Sequence, residues 1–128
     1  MVIDTSVLIA ILKREEGYQG YLDSIIDAQR RLMSAFTLLE TAVVWFGWTR
    51  NDDAVAQFYK LVEELRIEVV PFTPETAELA FQAYRVYGKG IKPPGLNLGD
   101  CAVWATARHH EMRVLHVGEE FTRADIGV

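Results

Sequence analysis

Val2-Ile3 is a short apolar run that stops at Asp4, after which Val7, Leu8, Ile11 and Leu12 recur at helical spacing until Lys13-Arg14-Glu15-Glu16 and Gly17 close the segment. The pattern predicts a strand passing directly into a helix. Leu22, Ile25 and Ile26 predict a second helix, and Arg31 to Ala35 a second strand. Leu38 to Trp48 is apolar almost all round, as in a helix buried on most sides or at a subunit contact; core packing is the first expectation for Trp45, Phe46 and Trp48. Val55, Phe58, Tyr59, Val62 and Leu65 give the cleanest amphipathic stripe in the chain. Ile67 to Phe72 is rich in β-branched residues and is limited by Pro71 and Pro74, so it reads as a third strand. Ala77, Ala80, Phe81, Tyr84 and Tyr87 predict a helix, Gly88 to Gly95 a loop with three glycines and two adjacent prolines, Gly99 to Met112 a helix, and Val114 to Val117 the last strand. Strands that alternate with helices, some of them near-continuous apolar runs, predict an α/β fold with a parallel sheet covered on both faces.

Composition narrows the class. The chain has 128 residues, 50% of them hydrophobic, which suffices for one domain, residues 1–128, with a real core. No apolar run approaches the roughly 18 to 20 residues of a membrane span. Nor does a basic segment followed by an apolar stretch open the chain, so a cytoplasmic location is expected. Cys101 is the single cysteine, which suits a reducing compartment. The net charge of -5 argues against a protein that coats nucleic acid through a broad basic surface. It leaves a nuclease open, because a carboxylate site is acidic until a cation reverses its sign.

The chemistry-bearing feature is a set of three acids at strand-to-helix junctions. Asp4 ends the first strand; Glu40 is expected in the first turn of the helix after the second strand; Asp100 is expected in the first turn of the helix after the Gly/Pro loop. Parallel strands end at one edge, where ligands bind, so the three carboxylates are expected to face one cleft. Like charges there raise one another's pKa, and a hard cation with oxygen ligands, Mg²⁺ or Mn²⁺, is the natural remedy. Each acid also has a plain structural role open to it. Thr37 with Glu40 has capping-box spacing, Asn97 with Asp100 nearly has it, and Asp4 can cap a helix by itself.

Three stretches carry a family resemblance. Val2-Ile3-Asp4-Thr5-Ser6 with Leu8 to Leu12, the run Tyr87-Gly88-Lys89-Gly90 followed by Pro94 to Cys101, and Gly118-Glu119-Glu120-Phe121 with Thr122 to Ile126 together resemble the VapC-type toxins, PIN-domain ribonucleases of bacterial toxin-antitoxin pairs. The resemblance implies a PIN-like three-layer fold with a parallel sheet of four to five strands. By position, Asp4 and Asp100 match its metal ligands, Glu40 its central acid and Ser6 the small hydroxyl residue that orders the site. Where the family has an Asp before the last motif's Phe, this chain has Glu120, with Glu119 and Asp125 as nearby substitutes. The resemblance further implies a metal-dependent endoribonuclease, a VapB-like antitoxin as partner, and a homodimer.

On this reading Asp4 and Asp100 hold Mg²⁺, with Mn²⁺ as a substitute, and Glu40 ligates through water or orients the attacking water. Ser6 either supports a ligand carboxylate or starts a helix. Lys89 and Lys92, in the loop before Asp100, are candidates for steering the RNA backbone, as are Arg30 and Arg31. The histidines give little support for zinc: His109 and His110 are expected to point apart on a helix, and His116 to sit alone in a strand. The competing readings are an Asp-nucleophile phosphatase, disfavoured because Ser6 stands where a second Asp is needed, and a catalytically silent PIN-like binding module whose acids are only caps.

Overall fold

The computed structural model describes residues 1–91, 95–118 and 121. Among them the chain forms β1 (Val2–Ile3), α1 (Thr5–Lys13), α2 (Tyr18–Asp27), β2 (Leu32–Ser34), α3 (Ala35–Thr49), α4 (Asp52–Glu64), β3 (Glu68–Val70), α5 (Pro74–Tyr87), α6 (Leu98–His110) and β4 (Val114–Leu115). The strands pair in the order β3-β2-β1-β4, and every pairing is parallel. All four carboxyl ends therefore lie along one edge.

Because side chains alternate across a strand, each short strand feeds two cores. Val2, Leu32, Val70 and Val114 pack with Ala83, Val103 and Trp104 beneath α5 and α6. Ile3, Met33 and Leu115 turn the other way, onto Leu8, Ile11, Ile25, Phe58 and Val62 from α1, α2 and α4. The result is the three-layer arrangement expected of a buried parallel sheet.

Local chemistry fixes the junctions. Ser34 is both the last residue of β2 and the N-cap of α3, its hydroxyl accepting from Phe36 N. Helix α3 thus starts three residues before the apolar run suggested, and Glu40 falls in its second turn. The Thr37/Glu40 capping box does not form; Thr37 is buried and its hydroxyl has no hydrogen-bond partner among the described residues. The box at α6 does form, with Asn97 Oδ1 accepting from Asp100 N at 2.8 Å and Asp100 Oδ2 accepting from Asn97 N at 3.0 Å. Helix α5 has a capping box as well, between Thr73 and Thr76, with Pro74 in its first turn.

Strand β3 is shorter than its sequence pattern, and it is a sheet edge, where Pro71 ends it without cost to an inner ladder. The Gly/Pro loop is closed at its base by a bridge between Gly88 and Leu96, with Lys89 N donating to Leu96 O and Leu96 N to Tyr87 O. That closure delivers the chain to the start of α6. His116 lies just beyond β4, not within it. No helix among the described residues is long and apolar enough to cross a membrane.

Candidate functional site

Asp4 leaves β1 in extended conformation and caps α1, its carboxylate accepting from Ser6 N at 3.0 Å and from the Ser6 hydroxyl. The Ser6 hydroxyl in turn accepts from Val117 N at 3.0 Å, which ties the exit of β4 to the Asp4 carboxylate. Ser6 is thus both a helix-start residue and a support for Asp4. Asp4 is only 6% exposed. Burial pushes its carboxyl above the ordinary range, and the Ser6 hydrogen bonds and the nearby His116 pull it partly back.

Glu40 reaches the same edge from α3. Its Oε1 accepts from the Thr5 hydroxyl at 2.7 Å. Thr5 also lies 2.9 Å from the Thr41 hydroxyl, which bonds Thr37 O at 2.8 Å, so a hydroxyl chain links the first turn of α1 to the second turn of α3. Burial raises the Glu40 carboxyl, the Thr5 bond lowers it, and the Asp4 charge raises it again. The two acids therefore feel one another.

Asp100 is joined to them through its neighbour. A Cβ on Gly99 would collide with the Glu40 carboxylate, so the first turn of α6 approaches α3 only because residue 99 has no side chain. Asp100 stands next in sequence, half-buried at a helix N-terminus that favours negative charge. Its charge and burial push the adjacent Cys101 thiol up to about 11, with burial the larger cause, so that thiol is inert.

The set offers oxygen donors only, with the Asp4 and Glu40 carboxyls raised by burial and that of Glu40 also by the Asp4 charge, and this donor chemistry fits a hard divalent cation. Among the described residues no three Asp, Glu, His or Cys side chains converge closely enough to hold an ion by themselves. Glu119, Glu120 and Asp125 lie outside the described residues, as does Lys92. Lys89 is exposed.

Thr5, Thr41, Gly99 and His116 were not singled out by the sequence. The usable signal was Gly99, a glycine inside a helical pattern, which calls for a packing reason. His116 is buried beside the Phe121 ring, and among the described residues neither of its ring nitrogens has a hydrogen-bond partner. The His109 and His110 rings, expected to diverge, touch edge-to-face at 4.9 Å between centroids. Trp45 is buried as expected, its indole donating to Ala54 O at 3.0 Å. Phe46 and Trp48 are not core residues; both are exposed, Trp48 by 67%.

Comparison with known proteins agrees with this architecture. Residues 1–127 match the PIN domain family. Ribonuclease VapC28 of Mycobacterium tuberculosis is 36% identical over 123 residues, covering 94% of this chain and 91% of that protein. Ribonuclease VapC of Mycolicibacterium smegmatis is 35% identical over 129 residues, covering 98% and 97%. The chain belongs to the PIN domain family and, within it, to the VapC ribonucleases. Among solved structures, the Mycobacterium tuberculosis VapC20 toxin, which cleaves the sarcin-ricin loop, superposes with a TM-score of 0.79 at 15% identity, covering 98% of this chain and 95% of that one. A toxin-antitoxin complex from Klebsiella pneumoniae superposes with a TM-score of 0.73 at 18% identity, covering 99% and 94%.

Proposed function

We propose that the chain acts as one domain over residues 1–128 and is the toxin of a VapBC-type pair, an endoribonuclease that hydrolyses RNA phosphodiester bonds at the edge carrying Asp4, Glu40 and Asp100. The supporting observation is the seat of the Glu40 carboxylate, bonded to Thr5 beside Asp4 and packed on Gly99 beside Asp100. Asp4 and Asp100 would hold a divalent cation, Mg²⁺ or Mn²⁺ in its place, with Glu120 as a further ligand. When bound, the cation would supply a Lewis acid for the phosphate oxygens and lower the pKa of an attacking water.

The remaining work falls to the chain. Glu40, with its carboxyl raised, takes the role of orienting that water and accepting its proton. Thr5 holds one Glu40 oxygen, and the other packs on Gly99 in the first turn of α6. Ser6 fixes the Asp4 carboxylate, and the Asn97 capping box fixes the first turn of α6 from which Asp100 projects. Lys89, exposed in the loop that precedes Asp100 in sequence, would attract the RNA backbone, with Lys92 after it in the chain.

The expected partner is a VapB-like antitoxin, and the expected location is the cytoplasm. A homodimer accounts for an apolar face that a lone domain would leave wet. Leu39, Val43, Val44 and Phe46 of α3 are exposed, and Leu98 beside them is 70% exposed. Two grooves of about 400 and 390 Å³ share Phe36 and Leu98 along that face. Soluble monomers rarely expose so continuous an apolar surface.

Incubating the purified chain with mixed-sequence single-stranded RNA tests the proposal. Internal cuts that need added Mg²⁺ or Mn²⁺ and stop in EDTA are expected; shortening only from the ends, or cutting indifferent to EDTA, would contradict it.

A further inference from the structure

The edge opposite the acids gathers arginines. Every strand begins there, and the ladder sets the register: Arg113 O accepts from Val2 N and Arg31 O from Glu68 N, each at 2.8 Å. Arg113 and Arg31 therefore stand immediately before β4 and β2, with Arg30 one residue further out and Arg66 two residues before β3. Four of the nine arginines of a chain with net charge -5 thus gather at one end of the sheet.

Three of them form a cleft. Gln29, Arg30, Arg31, Arg66 and Glu68 line a cavity of about 250 Å³. Arg31 is stapled in place, its guanidinium donating to Leu65 O at 2.7 Å, Ile26 O at 2.6 Å and Ala28 O at 3.3 Å, so its charge is a fixed part of the wall. Arg30 donates through Nε and Nη2 to Glu68 Oε2 at 3.3 and 3.2 Å, and both side chains are more than half exposed. Such a pair is weak, and a phosphate can compete for the guanidinium fork. Arg66 makes no ion pair among the described residues and sits at φ 53, where glycine would be less strained. Arg14 and Arg50 share that conformation at helix ends, where the dipole alone favours a cation. What distinguishes Arg66 is that it opens into a cleft already holding two other arginines.

Three guanidiniums against one carboxylate leave the cleft with an excess of two positive charges, and planar donor forks suit phosphodiester oxygens. The distance between the two ends of the sheet is short. From Arg31 to Ser34 is three strand residues, about 10 Å at roughly 3.3 Å per residue. The way between the two ends runs past β3, an edge strand whose Glu68 and Val69 are exposed. We infer that the Arg30-Arg31-Arg66 cleft binds the phosphodiester backbone of the RNA substrate, so that anchoring and cleavage fall at opposite ends of the sheet. The inference rests on the ribonuclease reading above and adds a second RNA contact to it.

Anisotropy of a fluorescein-labelled, mixed-sequence single-stranded RNA, titrated in EDTA across a salt series, tests this without cleavage. Each lost phosphate contact removes about 0.7 from the slope of log affinity against log salt, which is about fivefold in affinity at roughly 0.1 M salt. Arg66→Gln is expected to show that loss, Arg30→Gln with Arg66→Gln about twice that loss in slope, and Arg66→Lys to keep most of the affinity. Under cleavage conditions KM should rise in parallel while kcat holds. Thermal unfolding checks that each variant is folded. Unchanged affinity and slope in the folded double variant, with cleavage intact, would overturn the inference and leave the ribonuclease reading standing. Inorganic phosphate that binds the wild type but not Arg66→Gln, with RNA affinity the same in both, would identify a free-phosphate site and also overturn it. Absence of RNA cutting by the wild type would instead count against the ribonuclease reading.

Discussion

Gly99→Ala separates stability from activity. In a helix interior alanine is favoured over glycine by about 1 kcal/mol. Here, however, the new Cβ would overlap the Glu40 carboxylate, the far end of a flexible and half-buried side chain. Glu40 can move away, at the cost of the 2.7 Å bond from Thr5, a charged hydrogen bond of about 1.5 to 3 kcal/mol. The two effects partly cancel, and folding stability should fall by no more than about 2 kcal/mol. Activity should fall much further, because a displaced general base costs on the order of 100-fold. The assay pairs chemical denaturation with RNA cleavage for wild type, Gly99→Ala, Glu40→Gln and the double variant. If Gly99→Ala acts through Glu40, adding it to Glu40→Gln should have almost no further effect on cleavage. Wild-type cleavage by Gly99→Ala, or losses that multiply in the double variant, would refute the reasoning.

Asp4→Asn should stabilise the cation-free protein at neutral pH. The folded carboxyl is raised by burial above its unfolded value, so the native state holds more protons between the two pKa values and loses stability as pH rises through that window. The gain in Tm in EDTA should therefore fade as pH drops through the carboxylate range, and Mn²⁺ should raise the Tm of wild type more than that of the variant; a variant less stable than wild type at pH 7 in EDTA would contradict this. Arg31→Met leaves three carbonyl acceptors without their donor, and denaturant titration should show a loss of about 2 kcal/mol. Val43→Glu places a charge in the apolar face of α3, and light scattering should report a monomer where the wild type is a dimer; a wild-type monomer would remove the dimer from the account.

Element order was legible because α1, α2, α4 and α5 carry a 3.6-residue stripe, α3 is apolar almost all round, and each strand contains a short apolar run. Junctions were harder. Ser34 ends β2 and caps α3 with no intervening loop, so Ala35 reads as the end of the strand, the helix as beginning at Leu38, and Glu40 as lying one turn early. Asp100 fared better because Asn97 announces its helix. Periodicity reports which residues are apolar but not what covers them, which is why Phe46 and Trp48 read as core while lying exposed on α3. The contacts that seat Glu40, from Thr5 and Gly99, join residues 35 and 59 positions apart in the chain, and no local pattern encodes such neighbours. The arginine cleft is of the same kind, since Arg30 and Arg66 meet only through the parallel register of β2 and β3.

The central claim, that Asp4, Glu40 and Asp100 form one cation-dependent ribonuclease site, is tested most directly by calorimetric titration of Mn²⁺ into wild type, Asp4→Asn and Asp100→Asn, with RNA cleavage measured on the same samples. Saturable binding and internal cleavage are expected in the wild type, with both lost in each folded variant. Cleavage that survives in either variant, or Mn²⁺ binding indifferent to both, would contradict it.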